Sequence, residues 1–447
     1  IIKRTTERKR TRPISYGMKG NFQTILIIGF IVAALLGILV FSGAIKIGND
    51  TTQKGALGTV VLWGTVKTGI IATALDDFNR TNQSLILKYV QKDPETFDQD
   101  LLEALASGVG PDLFFLPDNL AFHYKNRIFP IPYESYSLAS FKNNFAGAGE
   151  VFLTSKGILA FPIAIDPLVM YYNRSMLDAN SIVYPPTSWD EFTELVPSLT
   201  KKDENKKIIK SATALGQFSN ITNAKDIIST LFMQAGNPIL SEEKGYFIST
   251  LGDSGRVDLG PILGFYTDFS NPLKESYSWN RSLPDSQDFF SADGLAFYFG
   301  YAGELKSLIN KNPNLNFLPA PVPQIKNSNF KLTSARVTGV AVSSFSKNLN
   351  TAFIAASLLA NSDFASKFAN ALNIAPARRD LLALKPTDAY FPIFYSSALY
   401  AKAWLDPSPE DTDDIFRGMV ENVLSNKMTT YDAVKDASAK LNLLLVN

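Results

Sequence analysis

Strand-like and helix-like segments alternate between residues 59 and 116, and this pattern limits the possible folds more than any other feature of the chain. Residues 59–63, 85–90 and 113–116 are apolar runs typical of strands. Between them we predict one helix with an apolar face through Ile70, Ala74, Leu75 and Phe78, and a second helix over residues 97–106. Strands joined by helices form parallel sheets. The sequence therefore predicts an α/β fold whose ligands bind beyond the carboxyl ends of the strands.

Length and charge narrow the function classes. At 447 residues the chain exceeds one ordinary domain, so two lobes are expected. A net charge of +1, from 43 basic and 42 acidic residues, provides no overall field that would attract nucleic acid. There are no cysteines and only one histidine, His123, which excludes thiol catalysis, disulfides, thiolate metal sites and multi-histidine metal sites. We predict no cofactor, no metal and no nucleic-acid partner.

The amino-terminal region indicates a membrane location. Residues 22–45 carry no charge and, at about 1.5 Å per residue, are long enough to cross a hydrocarbon core of about 30 Å. Basic residues dominate before this run, which favours a cytoplasmic amino terminus and an exported globular part. We predict a basic cytoplasmic tail over residues 1–21, a transmembrane anchor over residues 22–45 and a linker over residues 46–58. A cleaved signal peptide is the alternative, and Met18 as the true start stays open.

The stretch YYNRSMLDANSIVYPPTSWDEF, residues 171–192, predicts a strand, a short helix, a rigid corner and a second helix. Residues 168–172 are of strand type, and Pro185-Pro186 prevents helix formation at the corner. Ser188 and Glu191 have the spacing of a capping box, so the second helix should begin near Trp189. Its apolar face runs through Trp189, Phe192, Leu195, Val196 and Leu199.

Several phrases of the sequence resemble a known family when they are taken in order. They are VVLWG, GPDLFFLPDN, GILAFPIAIDPLVMYYNRSML, PPTSWDEF, FFSADGLAFYFGYAGELKSL, PAPVPQ, SSFSKNLNTAFIAASLLA, NIAPARRD and the closing SNKMTTYDAVKDASAKLN. This order resembles the extracellular solute-binding proteins of ABC importers, in particular the carbohydrate-binding group that includes maltose-binding protein. The resemblance runs from about residue 59 to the end of the chain.

The resemblance implies a two-lobed clamp of the periplasmic-binding-protein type, type II. The chain would cross between the lobes near residues 162–167, 319–323 and 373–377. Lobe 1 would then comprise residues 59–161 and 322–372, and lobe 2 residues 162–321 and 373–447. Such clamps close on a ligand by hinge bending, with the ligand in the cleft between the lobes.

The resemblance also implies a set of ligand-binding residues. The family commonly offers polar groups from the loop after the first strand, contacts sugars at the end of a later strand and from an acidic hinge strand, and stacks an aromatic ring on the sugar. Asn119 and Leu116 depart from the family, which has a carboxylate and often a tryptophan at these places, and this weakens the case for a maltose-like ligand. The predicted ligand-binding residues are Trp63, Thr65, Lys67, Asp118, Asn119, Asp166, Gln217, Phe218, Tyr301, Arg336 and Thr338.

The predicted protein is a membrane-anchored, extracellular, monomeric substrate-binding subunit of an ABC importer, which binds a sugar or oligosaccharide and catalyses nothing. Its partners would be the permease subunits of the importer. Two alternatives stay open: a glycan-active hydrolase, which needs only two suitably spaced carboxylates, and a binder of a non-sugar solute. The sequence GDSGR at residues 252–256 resembles a serine-protease nucleophile loop, but a base placed to activate a serine is not evident.

Overall fold

The computed structural model describes residues 57–253 and 255–446. The strands are β1 Gly58–Gly64, β2 Leu85–Gln91, β3 Leu113–Pro117, β4 Leu153–Thr154, β5 Gly157–Ile158, β6 Phe161–Asn173, β7 Lys201–Lys202, β8 Ile208–Thr213, β9 Leu240–Glu243, β10 Tyr246–Ser249, β11 Leu295–Tyr301, β12 Phe317–Ala320, β13 Thr333–Val342, β14 Ala375–Pro376 and β15 Ala401–Lys402.

The α-helices are α1 Thr68–Thr81, α2 Phe97–Ala106, α3 Asp118–Tyr124, α4 Leu138–Asn144, α5 Arg174–Ala179, α6 Trp189–Leu199, α7 Ala224–Gln234, α8 Gly260–Asp268, α9 Ser286–Ser291, α10 Leu305–Lys311, α11 Leu349–Leu359, α12 Ser362–Leu372, α13 Arg379–Leu382, α14 Phe391–Tyr400, α15 Pro409–Leu424 and α16 Thr430–Leu445. Short 3₁₀ helices span Gly147–Phe152 and Ala302–Glu304.

None of the helices in the two described ranges has both the length and the apolar character that a membrane span requires. The predicted cytoplasmic tail, the predicted anchor over residues 22–45 and nearly all of the predicted linker lie outside the described residues, as does Ser254 of the GDSGR sequence.

The predicted alternation of strands and helices at the start of the globular part is confirmed. β1 pairs in parallel with both β2 and β3, and α1 and α2 occupy the predicted positions between these strands. One detail was wrong. Ile70 is 43% exposed, and Ile71 is buried in its place. Ile71, Ala74, Leu75 and Phe78 have the i, i+3, i+4, i+7 spacing of a single helix face.

The sheet as a whole is mixed, whereas the sequence predicted a parallel sheet. Its strand order is β2-β1-β3-β13-β6-β11-β8-β7, with β12 and β14 also paired to β6 and β15 paired to β13. β13 runs antiparallel to both β3 and β6, and β6 runs antiparallel to β11. The alternation of helices and strands revealed only the parallel neighbours, because the antiparallel partners are far away in sequence.

Strand β6 is the longest strand and occupies the middle of the sheet. It continues from the segment predicted as the first crossing into the strand predicted over residues 168–172. The first half of β6 pairs with β13 and β14, and its second half pairs with β11 and β12. Segments from the three predicted crossings, around residues 162–167, 319–323 and 373–377, therefore meet on a single strand. The lobe boundaries themselves stay a prediction.

The segment over residues 171–192 folds as predicted, with one change at the helix cap. Helix α6 begins at Trp189, and the Ser188 side chain accepts a hydrogen bond from the Glu191 backbone N–H at 3.3 Å. The Glu191 carboxylate reaches one residue beyond Ser188 and accepts the Thr187 N–H at 2.8 Å. Trp189, Phe192, Val196 and Leu199 are buried, as the apolar face predicted.

Candidate ligand-binding site

A cavity of about 500 Å³ opens where β1 and β3 end, beside the middle strands β6 and β13. We call this cavity the cleft. It is lined by Thr65, Pro94, Phe97, Pro117, Asp118, Asn119, Leu120, Asp166, Lys225, Asp226, Tyr301, Ser334, Ala335, Arg336, Val337, Thr338, Ile374, Lys402, Trp404 and Asp406. Segments after parallel strands and the two central strands thus supply part of its polar groups, at the edge where an α/β sheet binds ligands, and helix α7 and the segment from β15 onward supply others.

Seven predicted ligand-binding residues are brought together by the fold. Those that line the cleft are Thr65, Asp118, Asn119, Asp166, Tyr301, Arg336 and Thr338. Phe218 lines an adjoining polar cavity of about 320 Å³, which shares Lys225, Asp226 and Arg336 with the cleft. The ends of the predicted strands therefore indicated which residues gather at one place, and the role of these residues in ligand binding stays a prediction.

Three predicted residues lie away from both cavities. The Trp63 ring is covered by Lys92, whose Nζ lies 3.9 Å from the ring centroid. Lys67 is exposed at the residue before helix α1. Gln217 is buried, and its Oε1 accepts a hydrogen bond from Arg281 Nε at 3.2 Å. The side chains of Trp63 and Gln217 are thus directed to other neighbours, and the Lys67 side chain is exposed.

Two carboxylates of the cleft, the buried Asp118 and the half-buried Asp166, are held by backbone groups. Asp118 is 8% exposed, and its Oδ1 accepts the Val337 N–H at 2.9 Å. Asp166 Oδ1 accepts the Gly303 N–H at 2.8 Å. Burial raises the pKa of each carboxyl to about 7, against the opposing effect of the backbone hydrogen bond and of the Arg336 charge. Near neutral pH each side chain can therefore be a charged acceptor or, when protonated, a donor.

Arg336 is the central cation of the cleft. Its guanidinium carbon lies 3.8 Å from the centroid of the Tyr301 ring, and its Nη2 lies 3.5 Å from Asp226 Oδ2. The same nitrogen donates a hydrogen bond to Asn223 Oδ1 at 3.1 Å. The Arg336 side chain is still 56% exposed, so part of its guanidinium can be reached from the cleft. Burial raises the pKa of Asp226, and the charge of Arg336 opposes this shift.

The predicted stacking role of Tyr301 is wrong for this conformation. Tyr301 lines the cleft but is only 1% exposed, and Arg336 covers its ring. A cation already uses the negative face of the ring, so a sugar cannot stack there without displacing Arg336. The aromatic residue that is accessible in the cleft is Trp404, which is half-buried.

Comparison with known proteins identifies the family. Residues 66–373, more than half of the chain, match the family model of the bacterial extracellular solute-binding proteins. The chain belongs to this family. No curated protein matches this solute-binding protein at the sequence level.

Solved structures share the fold of this solute-binding protein at low sequence identity. A cyclo/maltodextrin-binding protein complexed with maltotetraose has a TM-score of 0.70 at 16% identity, covering 88% of this chain and 98% of the other. The GacH receptor of Streptomyces glaucescens GLA.O, solved unliganded and with acarbose, has a TM-score of 0.63 at 16% identity, covering 87% and 99%. An ABC transporter solute-binding protein from Thermotoga lettingae TMO, bound with α-D-tagatose, has a TM-score of 0.60 at 19% identity, covering 87% and 100%. The fold is thus the two-lobed α/β fold of periplasmic binding proteins.

The structure adds cleft residues that sequence reasoning missed. The most informative are Lys225, Asp226, Lys402, Trp404 and Asp406. Lys225 Nζ lies 2.9 Å from Asp406 Oδ2 and donates to Thr412 Oγ1 at 3.0 Å, although Lys225 and Asp406 are 181 residues apart. Trp404 stacks on Phe416, with ring centroids 6.4 Å apart and planes at 24°. Lys225 and Asp226 are adjacent charged residues in the first turn of α7. They were the one local signal in the sequence that could have indicated some of these cleft residues.

Proposed function

We propose that this chain is a monomeric extracellular substrate-binding subunit of an ABC importer, held at the membrane by residues 22–45, which binds a sugar or oligosaccharide in the cleft. One observation carries the sugar assignment. The cleft combines two carboxyls that accept backbone N–H groups, the buried Asp118 and the half-buried Asp166, with an accessible tryptophan, Trp404. The ligands named for the solved neighbours, among them maltotetraose, acarbose and α-D-tagatose, support the same assignment.

The chemistry of the cleft suits a ligand that has many hydroxyls. A hydroxyl is both donor and acceptor, and a carboxyl with a pKa near 7 can complement either role. The exposed part of Arg336 adds donors for ring and hydroxyl oxygens. Trp404 offers apolar aromatic surface to the C–H face of a pyranose. Together these groups provide hydrogen bonds for orientation and aromatic contact for affinity, which is the usual composition of a small-molecule site.

We further propose that binding is coupled to closure of the two lobes. The hinge would consist of the segments that pair on β6. In this arrangement lobe 1 comprises residues 59–161 and 322–372, and lobe 2 comprises residues 162–321 and 373–447. Asp166 on β6 and Arg336 on β13 are paired in register, so bending at these strands would move the main polar groups of the cleft. The closed form would present both lobes to the permease subunits, and no chemical step is part of this cycle.

Thermal unfolding of the full-length protein with a panel of sugars tests the proposal. The panel contains maltotetraose, mannotriose, acarbose and α-D-tagatose. A ligand present at about one hundred times its Kd adds about 2.7 kcal/mol to the free energy of unfolding, and this produces a clear rise in Tm. At least one sugar should raise the Tm and should be recovered unchanged after long incubation. A panel without any effect would overturn the sugar assignment, and cleavage products would favour the hydrolase alternative.

A further inference from the structure

A third cavity, distinct from the cleft and from the polar cavity lined by Phe218, also adjoins the cleft and has a different chemical character. It has a volume of about 540 Å³ and shares Lys402 and Trp404 with the cleft. We call it the rear chamber. Most of its lining is apolar, and Val151, Leu153, Met233, Ile239, Leu240 and Phe247 are representative. The proposed function makes no use of this chamber.

The boundary between the cleft and the rear chamber consists of Lys402 and Trp404. Lys402 Nζ lies 3.8 Å from Glu150 Oε2, a long contact between two partly exposed side chains. Trp404 is half-buried and is supported by Phe416. On the cleft side, Asp406 lies two residues after Trp404 in the sequence and forms an ion pair with Lys225. The boundary therefore lies between the cleft, which holds more of the charged side chains, and a chamber that is mostly apolar but also has Glu150 and Glu242 in its lining.

The size and the walls of the rear chamber specify what it can hold. Its volume lies within the range of about 300 to 1,000 Å³ typical of small-molecule sites. A sugar placed against mostly apolar walls would give up hydrogen bonds to water and gain few in return, which is costly. An apolar group gains free energy roughly in proportion to the area that it buries. The chamber thus favours an apolar group.

The shared boundary indicates where this apolar group comes from. Because Trp404 and Lys402 line both spaces, a ligand that touches Trp404 in the cleft is next to the rear chamber. A substituent of that ligand needs to pass only this boundary to reach the apolar walls. We infer that the natural solute is a glycoside whose sugar lies in the cleft and whose apolar substituent, an alkyl or aryl group, occupies the rear chamber. This inference rests on the proposed function.

Matched glycosides test the inference on the full-length protein. Methyl and hexyl glycosides of glucose, maltose and mannose are titrated by calorimetry, alongside the unsubstituted sugars of the panel. For the sugar that binds, the hexyl glycoside should bind at least about tenfold more tightly than the methyl glycoside, because burial of only a few methylenes is sufficient for this ratio.

A pair of variants shows where the hexyl chain binds. Leu240→Gln makes one wall of the rear chamber polar, whereas Leu273→Gln makes the same change at a side chain that is 93% exposed and does not line the chamber. Leu240→Gln should reduce the ratio of methyl to hexyl Kd at least about threefold, and Leu273→Gln should leave it unchanged. Val151→Gln, in another segment of the lining, replaces Leu240→Gln if a melting curve shows that the latter does not fold.

The outcomes separate this inference from the proposed function. Equal affinity for methyl and hexyl glycosides, with a sugar still bound, overturns the apolar-substituent inference and leaves the proposed function intact. If the hexyl advantage persists unchanged in Leu240→Gln, or in its replacement Val151→Gln, as it does in Leu273→Gln, the hexyl chain lies outside the rear chamber and the inference is overturned. If neither the sugars nor the glycosides bind, the sugar assignment itself fails.

Discussion

The guanidinium carbon of Arg336 lies 3.8 Å from the centre of the Tyr301 ring, and this contact organises the charges of the cleft. The ring is buried and holds the cation in place, while the ion pair with Asp226 is long, at 3.5 Å. Arg336 also opposes the burial effect on the carboxyl pKa values of Asp118, Asp166 and Asp226. One stacked cation therefore influences three acidic side chains while part of its own surface stays accessible.

Arg336→Gln should weaken solute binding. The variant removes the charged donor and leaves the three carboxylates without their common counter-charge, so we expect the Kd to rise about tenfold or more, since hydrogen bonds to charged groups contribute about 1.5 to 3 kcal/mol each. Calorimetric titration with the sugar found by thermal unfolding measures this. Arg80→Gln is the control, because Arg80 forms an exposed pair with Asp77 in α1. Equal Kd values for the two variants would remove Arg336 from the site.

The stability of the ligand-free protein should depend on pH through Asp118. The folded state retains the Asp118 proton up to about pH 7, whereas an unfolded chain releases it near about pH 4. Because the folded state binds this proton more tightly than the unfolded chain does, protonated Asp118 contributes to the free energy of unfolding. The contribution is complete below about pH 4 and is lost as the pH rises towards about 7, with an upper bound of about 4 kcal/mol.

Asp118→Asn isolates that contribution, because an amide does not titrate and can still accept the Val337 N–H. Chemical denaturation of the wild type and the variant is compared at intervals between pH 4 and 8. The difference in unfolding free energy should shift in favour of the variant as the pH rises. Two parallel stability curves would show that Asp118 titrates normally.

Asp166→Asn should weaken solute binding more than it changes the ligand-free protein. The amide oxygen can still accept the Gly303 N–H, so the apo Tm should not fall, and relative to the wild type it should rise with pH as expected for Asp118→Asn. Each lost charge-assisted bond to a ligand hydroxyl should raise the Kd about tenfold or more. Since the pKa of Asp166 is about 7, the loss should be larger at pH 8 than at pH 6. A lower apo Tm with unchanged affinity would instead make Asp166 a structural residue of the hinge strand.

Local patterns in the sequence predicted local structure well. The positions of strands β1 to β3 and the start of α6 at Trp189 follow from residue patterns within short windows of the sequence, and they are confirmed. The antiparallel pairing of β13 with β3 and β6 depends on contacts across more than a hundred residues, and no period in the sequence marks it.

The same distinction between local sequence pattern and long-range packing explains which residues of the site could be predicted. Asp166 could be placed in the cleft because the family resemblance located its strand. Arg336 was expected in a loop before residues 339–343, and that detail was wrong, because Arg336 lies within strand β13. The pair of Lys225 and Asp406 joins distant segments without a recognisable motif. The Tyr301 position was found, but its partner was not, because only the packed sheet places Arg336 over the ring. Side-chain direction, which decides such contacts, is a property of tertiary packing.

Membrane attachment through residues 22–45 predicts how the full-length protein fractionates. The chain should sediment with membranes, and deletion of residues 1–46 should release a soluble protein that unfolds cooperatively. Sequencing of the amino terminus of the full-length product is the control. Recovery of a soluble chain that begins near residue 45 would show that the segment is a cleaved signal peptide.

Trp404→Ala should weaken sugar binding, whereas Trp63→Ala should not, and the two tryptophans form a matched pair. Trp404 lines the cleft, while Trp63 lies away from it under Lys92. Loss of an aromatic contact surface and its buried area should raise the Kd about tenfold. Both variants lose a large side chain and can be less stable, so calorimetric stoichiometry is used to correct for the folded fraction. A raised Kd in Trp63→Ala with an unchanged Kd in Trp404→Ala would assign the aromatic contact to the end of β1 and would contradict the role of Trp404.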